Sequence, residues 1–259
     1  MSVIRSQIYY INSSNRVSGT SSNFNYNIDI PDGSNFDSCL VLSMSIPLTY
    51  YTIRVLNNFF TLQELGSNIT ITIPRGNYDA RTFATTLTGL LNSGSTHGWI
   101  YSISLDMTTA KYTYSVTGNS GNQPSFIFTN HLVDQMGFDD NSTNTFVSDT
   151  LTSTEVLNFV STNCLYLHSD LVDDQTSILQ EVYSNNTIPY SYIIYNCLNA
   201  DLYTKRLRTN ASSTFNFSLT DIDKNVIDLN GEEIAVTLML YKKLSLADMF
   251  KKYLQIANL

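Results

Sequence analysis

The chain has 259 residues and a formal charge of −8, from 14 Lys and Arg against 22 Asp and Glu. That length supplies one large all-β domain or two smaller ones, and the acidic balance excludes the basic footprint used to hold phosphate backbones, so no nucleic-acid partner is expected. Charged residues are only 14% of the chain, against roughly 25% in an average globular protein.

Surface polarity must therefore come from neutral groups: Ser, Thr and Asn number 31, 29 and 27, beside 17 Tyr and 13 Phe. Thr and aromatic residues suit a pleated sheet, while Asn and Ser suit turns, so strands and turns are favoured over surface helices. Cys39, Cys164 and Cys197 are odd in number and widely spaced, which argues against a disulfide framework or a zinc knuckle. They read as small buried hydrophobes. No apolar run approaches the roughly 18 residues of a membrane span, and residues 1–15 lack a signal-peptide hydrophobic region. The expectation is a chain starting near Met1 in a reducing compartment.

In chain order, residues 6–12 predict a short aromatic strand and residues 15–22 a polar turn. Phe24, Tyr26, Ile28 and Ile30 alternate with Asn25, Asn27 and Asp29, a period of two that predicts a strand with one buried face. Pro31-Asp32-Gly33 ends it. Residues 39–46 read as an apolar stretch closed by Pro47, which predicts a central strand. From about residue 59 the pattern changes. Ile69, Ile71 and Ile73 alternate with Thr70 and Thr72, and Pro74-Arg75-Gly76-Asn77 turns into a helix over about 79–92 with Phe83, Leu87 and Leu90 or Leu91 on one face. Strands over 99–105 and 111–116 are joined by a hairpin loop at 106–110. Residues 126–128 add a strand and 131–137 a short helix with Gly137 as its C-cap. Residues 140–154 read as an Asn/Thr/Ser-rich connector.

Strand patterns return over 164–168, 190–197, 202–208, 214–220 and 234–241, and with those before the insertion they make eight or nine, the number a two-sheet jelly roll needs. The fold expected is thus mainly β: a single jelly-roll β-sandwich from residues 1–58 and 150–243, an inserted small α+β subdomain over 59–149, and a C-terminal amphipathic helix over 244–259. In that last segment Ser245-Leu246-Ala247-Asp248 is a capping box, with Leu244 and Met249 placed as its hydrophobic staple. Leu246, Phe250, Tyr253 and Ala257 share a face opposite Lys251, Lys252 and Gln255.

Marks of catalysis are few. His97, His131 and His168 are each isolated from other metal-ligand types at ligand spacing, and no Gly-x-Ser-x-Gly elbow, phosphate-cradling loop or His-Glu-x-x-His occurs. Asp139-Asp140 and Asp170, Asp173 and Asp174 cluster as turn residues do, although a glycosidase carboxylate pair is set by space rather than sequence. Asp221, Asp223, Asn225 and Glu232 fit calcium-loop positions 1, 3, 5 and 12, but Val226 stands where the turn needs glycine, and the flanking segments read as strands rather than helices. No metal and no cofactor are expected, and the chain reads as a non-enzyme. The terminal helix has three readings: packed on its own domain, lying on a membrane surface, or docking on another subunit. Lys242, Lys243, Lys251 and Lys252 make it basic in an otherwise acidic chain, which favours an outside partner. The residues expected to bind that partner are Leu246, Phe250, Tyr253 and Leu254.

The opening run Ile8-Tyr9-Tyr10-Ile11-Asn12-Ser13-Ser14-Asn15-Arg16-Val17-Ser18-Gly19-Thr20-Ser21-Ser22-Asn23-Phe24 resembles the start of the minor capsid (penton) proteins of virophages and Polinton-like viruses. Residues 215–240, with Leu219-Thr220-Asp221 and Asp228-Leu229-Asn230-Gly231, are similar to their final strands. Ile73-Pro74-Arg75-Gly76-Asn77-Tyr78 and Met136-Gly137-Phe138 resemble modules of several viral structural proteins. The resemblance implies a jelly roll that forms a homopentamer at the fivefold vertices of an icosahedral capsid, beside a separate major capsid protein, with no catalytic residues to carry over. It places the protein in the virion, assembled in the host cytoplasm or nucleus, and the insertion, if it faces outward, could contact a host-surface receptor. Two other classes share the composition: a viral fibre or cement protein, and a carbohydrate-binding jelly-roll module.

Overall fold

The computed structural model describes residues 3–159, 162, 164–183, 191–208, 213–243, 250, 253 and 254. The chain divides into two compact units, one of Met1–Tyr50 with Thr162–Leu259 and one of Tyr51–Ser161. The first unit opens with β1 (Val3–Asn12), β2 (Ser18–Gly19), β3 (Asn23–Asn27) and β4 (Ser38–Pro47). The second contains β5 (Phe59–Glu64), β6 (Ser67–Thr72), α1 (Ala80–Gly94), β7 (Ile100–Asp106), β8 (Lys111–Thr117), β9 (Ser125–Ile127), α2 (Val133–Met136), β10 (Thr143–Thr145) and β11 (Thr150–Thr152). The first unit then resumes with β12 (Cys164–Ser169), β13 (Ile178–Tyr183), β14 (Tyr192–Asn196), α3 (Ala200–Tyr203), β15 (Lys205–Arg206), β16 (Thr214–Thr220) and β17 (Ala235–Lys243).

Two antiparallel sheets make the first unit, β1-β17-β4-β14 with β15 also on β4, and β13-β12-β16-β3-β2. The long pairings are nested: β1 with β17, β3 with β16, β4 with β14 and β12 with β13. First pairs with last and the two middle strands with each other, as in one long hairpin. Pairing of β17 with β4 and of β12 with β16 rolls that hairpin into two sheets. This is the strand order of a jelly roll, and the other unit enters between its third and fourth long strands.

Alternation explains the inner faces. Phe215, Phe217 and Leu219 of β16 are buried, and Phe217 lies opposite Phe24 with ring centroids 5.6 Å apart. Central β4 does not alternate because its register against β17 shifts between Thr237 and Leu238. Cys39 and Val41 point inward before that bulge, and Met44 and Ile46 after it, so one extra residue turns an alternating strand into an apolar run.

One end of the sandwich is closed by charge. Glu233, just before β17, accepts hydrogen bonds from the Ser13 hydroxyl and from Arg16 Nη1 at 2.8 Å. Burial works against its ionisation, yet those bonds and the Arg16 charge outweigh it and hold the carboxyl below its usual range. A depressed folded value stabilises above the unfolded pKa of about 4.3 and is lost as pH falls through the folded one. Glu233→Gln is therefore expected to lose about 1 kcal/mol near neutral pH and to match the wild type once pH falls below the folded pKa. Parallel stability curves across that whole range would contradict this account.

In the second unit, Asp79 caps α1 by accepting from the Arg81 and Thr82 amides at 2.9 and 2.8 Å. Phe83, Ala84, Leu87 and Leu91 turn inward, onto an aromatic core containing Phe60, Tyr101, Tyr112, Tyr114, Phe126, Phe128, Phe138 and Phe146. Its sheets are β10-β9-β5-β6 and β11-β8-β7.

Several sequence expectations are corrected. The second unit spans 51–161 rather than 59–149, because Ile53 is buried in its core and Leu157 and Phe159 pack on that core. Residues 140–154, read as a connector, supply β10 on β9 and β11 on β8. Residues 202–208, read as a strand, start in α3 because the Asn199 side chain caps the Asp201 amide, leaving only Lys205–Arg206 in a sheet. Strand β13 had no counterpart in the sequence reading. Most of the segment 244–259, including Leu246, lies outside the described residues.

Candidate assembly surface

The chemistry-bearing residues flagged in the sequence are mostly engaged locally. His97 Nδ1 lies 3.2 Å from Glu64 Oε2, and Glu64, fully buried, also accepts from Tyr101 at 2.8 Å and Ser95 at 3.1 Å. Burial and the Glu64 carboxylate push the Tyr101 hydroxyl well above its ordinary pKa. His131 lies 3.3 Å from Asp140, while His168 contacts Thr220 Oγ1 at 3.0 Å and the Thr176 carbonyl at 3.1 Å.

The acidic groups serve turns as well. Asp174 accepts from the Thr176 amide within its own turn, while Asp170 accepts from the amide of Asn216 in β16 and so joins two segments of the sheet. In the segment with calcium-like spacing, Asp221 Oδ1 accepts from the amides of Asp223 and Asn225, and Oδ2 from the Asn225 side chain. That carboxylate organises its own turn, and Thr220 bridges to Val226 in place of a ligand-binding loop. The following turn places both Asn230 and Gly231 at positive φ, with the Glu232 amide donating to the Leu229 carbonyl at 3.1 Å. Among the described residues no group of three or more His, Cys, Asp and Glu is placed to hold a metal. All three cysteines are free, and burial pushes the Cys39 thiol up to about 12, where it is inert near neutral pH.

One feature with the shape of a binding surface is the outer face of the sheet β1-β17-β4-β14. Strand register lays two rows across it. Asn12 stands opposite Ala235, Ala235 opposite Ser45 and Ser45 opposite Ile194; in the next row Tyr10 faces Thr237, Thr237 faces Ser43 and Ser43 faces Asn196. The two middle strands thus contribute a floor of small residues, and the two edge strands contribute taller walls. The result is an open trough of about 320 Å³. Tyr10 is 77% and Ile194 61% exposed, and Ile8 and Tyr192 continue the same two edges. No residue that lines the trough carries a charge. Beyond β14, Leu198 is almost wholly exposed and Leu202 largely so.

Of the residues expected to bind a partner, Phe250 and Tyr253 are helical and exposed and Leu254 is helical and half-buried. The trough was not anticipated from the sequence. Period-two reading identifies outward positions, but only register shows that small residues line up on adjacent strands.

The first unit is thus a single jelly roll interrupted by an α+β unit. No protein-family model matches the chain, and no curated protein matches it. Among solved structures it is similar to the crystal structure of selenomethionine-labelled mavirus penton protein, at 13% sequence identity and a TM-score of 0.44, covering 92% of this chain and 100% of that chain. No helix among the described residues is long and apolar enough to cross a membrane.

Proposed function

We propose that this protein is a structural subunit of a virion: a non-enzymatic minor capsid (penton) protein that closes into homopentamers at icosahedral fivefold vertices, beside a separate major capsid protein. The observation that carries the reading is a jelly roll whose outer sheet face holds a trough walled by exposed apolar side chains and lined by no charged residue. The sequence runs at residues 8–24 and 215–240 support the same class. A chain of charge −8 repels its own copies, so a neutral face is where like subunits can approach closely. The unit of residues 51–161 is the part assigned to contact with a host-surface receptor, and residues Leu246, Phe250, Tyr253 and Leu254 are assigned to partner contact. The location is the capsid vertex, with assembly in the host cytoplasm or nucleus.

The test is the solution mass of the purified protein over a concentration series. A species near 146 kDa, five times 29.1 kDa, is expected from fivefold closure. A trimer would instead place the protein among fibres, and a monomer at every concentration would remove the support for a self-assembling ring.

A further inference from the structure

Two features of the first unit match in width and chemistry. The trough lies between β1 and β14, three strand spacings apart, which is about 14 Å at the usual interstrand distance. An α-helix with its side chains is about 10–12 Å across, so one helix fits between the walls Tyr10 and Ile194 and rests on Ser43, Ser45, Ala235 and Thr237. Small residues on the floor let the helix approach the sheet closely. The chain carries such a helix sequence at its end: Leu246, Phe250, Tyr253 and Ala257 recur at spacings of four, three and four, a single apolar face about three turns long. Lysines 251 and 252 fall opposite, where they stay in water while the neutral trough takes the apolar face.

Phe250 and Tyr253, the described members of that apolar face, do not line the trough of their own chain. Phe250 and Tyr253 are 62% and 65% exposed while the trough of the same chain is open. We infer that the trough of one subunit receives the C-terminal helix, residues 246–257, of a second copy of this chain. Groove and helix are different surfaces, so the contact is head to tail, the kind that builds closed rings. The inference rests on the self-assembly reading above and names the contact that holds it.

The experiment uses full-length chains. Ser45→Arg places a charge and a long side chain in the middle of the trough, and Tyr10→Ser removes one wall without touching the core. A double variant, Phe250→Ala with Tyr253→Ala, disables the helix. Each is expected to keep the wild-type melting temperature within a few degrees and to lose the assembled species. Mixing Ser45→Arg with the double variant is expected to restore a one-to-one complex, because each supplies the part the other lacks. Assembly that survives in either Ser45→Arg or the double variant overturns the inference while leaving the pentamer reading standing.

A synthetic peptide of residues 244–259 gives a second readout that holds even for a monomeric wild type. It is expected to bind the full-length double variant, and at least tenfold more weakly when Ser45→Arg or Tyr10→Ser is added. No binding up to about 1 mM, or binding indifferent to those trough substitutions, overturns the inference whatever the mass of the wild type.

Discussion

Replacing Phe126 by alanine is expected to lower the stability of the 51–161 unit by about 3–5 kcal/mol, a large share of the roughly 5–15 kcal/mol that holds an ordinary domain folded. The ring is fully buried and meets Phe60 at 5.1 Å, Tyr114 at 5.2 Å and Phe146 at 5.2 Å, in each case edge to face. Truncation removes the transfer energy of the ring, leaves a cavity that three aromatic neighbours cannot easily collapse into, and forfeits the edge-to-face contacts. Phe126→Leu keeps most of the volume and is expected to lose less than half as much. Urea unfolding followed by aromatic fluorescence and far-UV circular dichroism measures both. A loss under about 1 kcal/mol for the alanine variant would show that Phe126 is not where the core is densest.

Gly137→Ala is expected to be strongly destabilising for a single added methyl group. Gly137 ends α2 in the left-handed conformation, at φ 74° and ψ 46°, with its amide donating to the Val133 carbonyl at 2.7 Å. A left-handed alanine alone costs about 1 kcal/mol. At this position the added Cβ would also stand 2.7 Å from both the Glu155 carbonyl oxygen and Ser153 Cβ. Neither neighbour is free to move: the Glu155 amide donates to the Gly137 carbonyl at 2.9 Å, and the Ser153 hydroxyl donates to Met136 O at 2.8 Å. The total expected is about 2–4 kcal/mol. Gly66→Ala supplies the control, since Gly66 has φ 81° with nothing near its Cβ position, and should lose only the conformational part. Equal losses for the two variants, measured by thermal unfolding, would mean that the 153–155 segment yields and that close approach contributes nothing.

Gly137 also marks the boundary between what can be read locally and what cannot. A left-handed C-cap follows from a short apolar helix ending at Met136-Gly137, all within a few residues, and the sequence reading placed it there. The approach of Ser153 and Glu155 depends on how a segment sixteen residues later folds back, and no local pattern carries that. The same division runs through the fold. Helix α1 was legible because its cap, its first turn and its apolar face are written within sixteen residues, from Asp79 to Gly94. Strands β3, β8, β16 and β17 were legible from alternation, because one face of each is buried. Strand β13 was not, because its buried residues Leu179, Gln180 and Val182 do not alternate across its own bulge, where Leu179 is the extra residue between Ile178 opposite His168 and Gln180 opposite Leu167. Strands β10 and β11 are three residues each and Thr-rich, so their edges pair by backbone hydrogen bonds with almost no apolar signal to reveal them. In 202–208, aromatic and aliphatic residues suggested a strand, and the Asn199 cap turned the first of them into a helical turn.

Most of the site was hidden for a related reason. The exposed aromatics of the terminal segment could be chosen from helical spacing. The trough that we assign to receive them is made of Ser43, Ser45, Ala235 and Thr237, residues with no individual signature.

By itself the sequence determined the class of structure: an acidic, neutral-polar, strand-rich chain with a small α+β insertion in its middle third. These follow from composition and from periodicity over a few residues, where backbone geometry dictates which side chains share a face. The tertiary structure alone decided the nested pairing of first strand with last, the limits of the inserted unit, and the trough. Each depends on hydrogen-bond register between strands that for the first and last are more than two hundred residues apart, and a shift of one residue would turn the small side chains of the floor inward and the core outward.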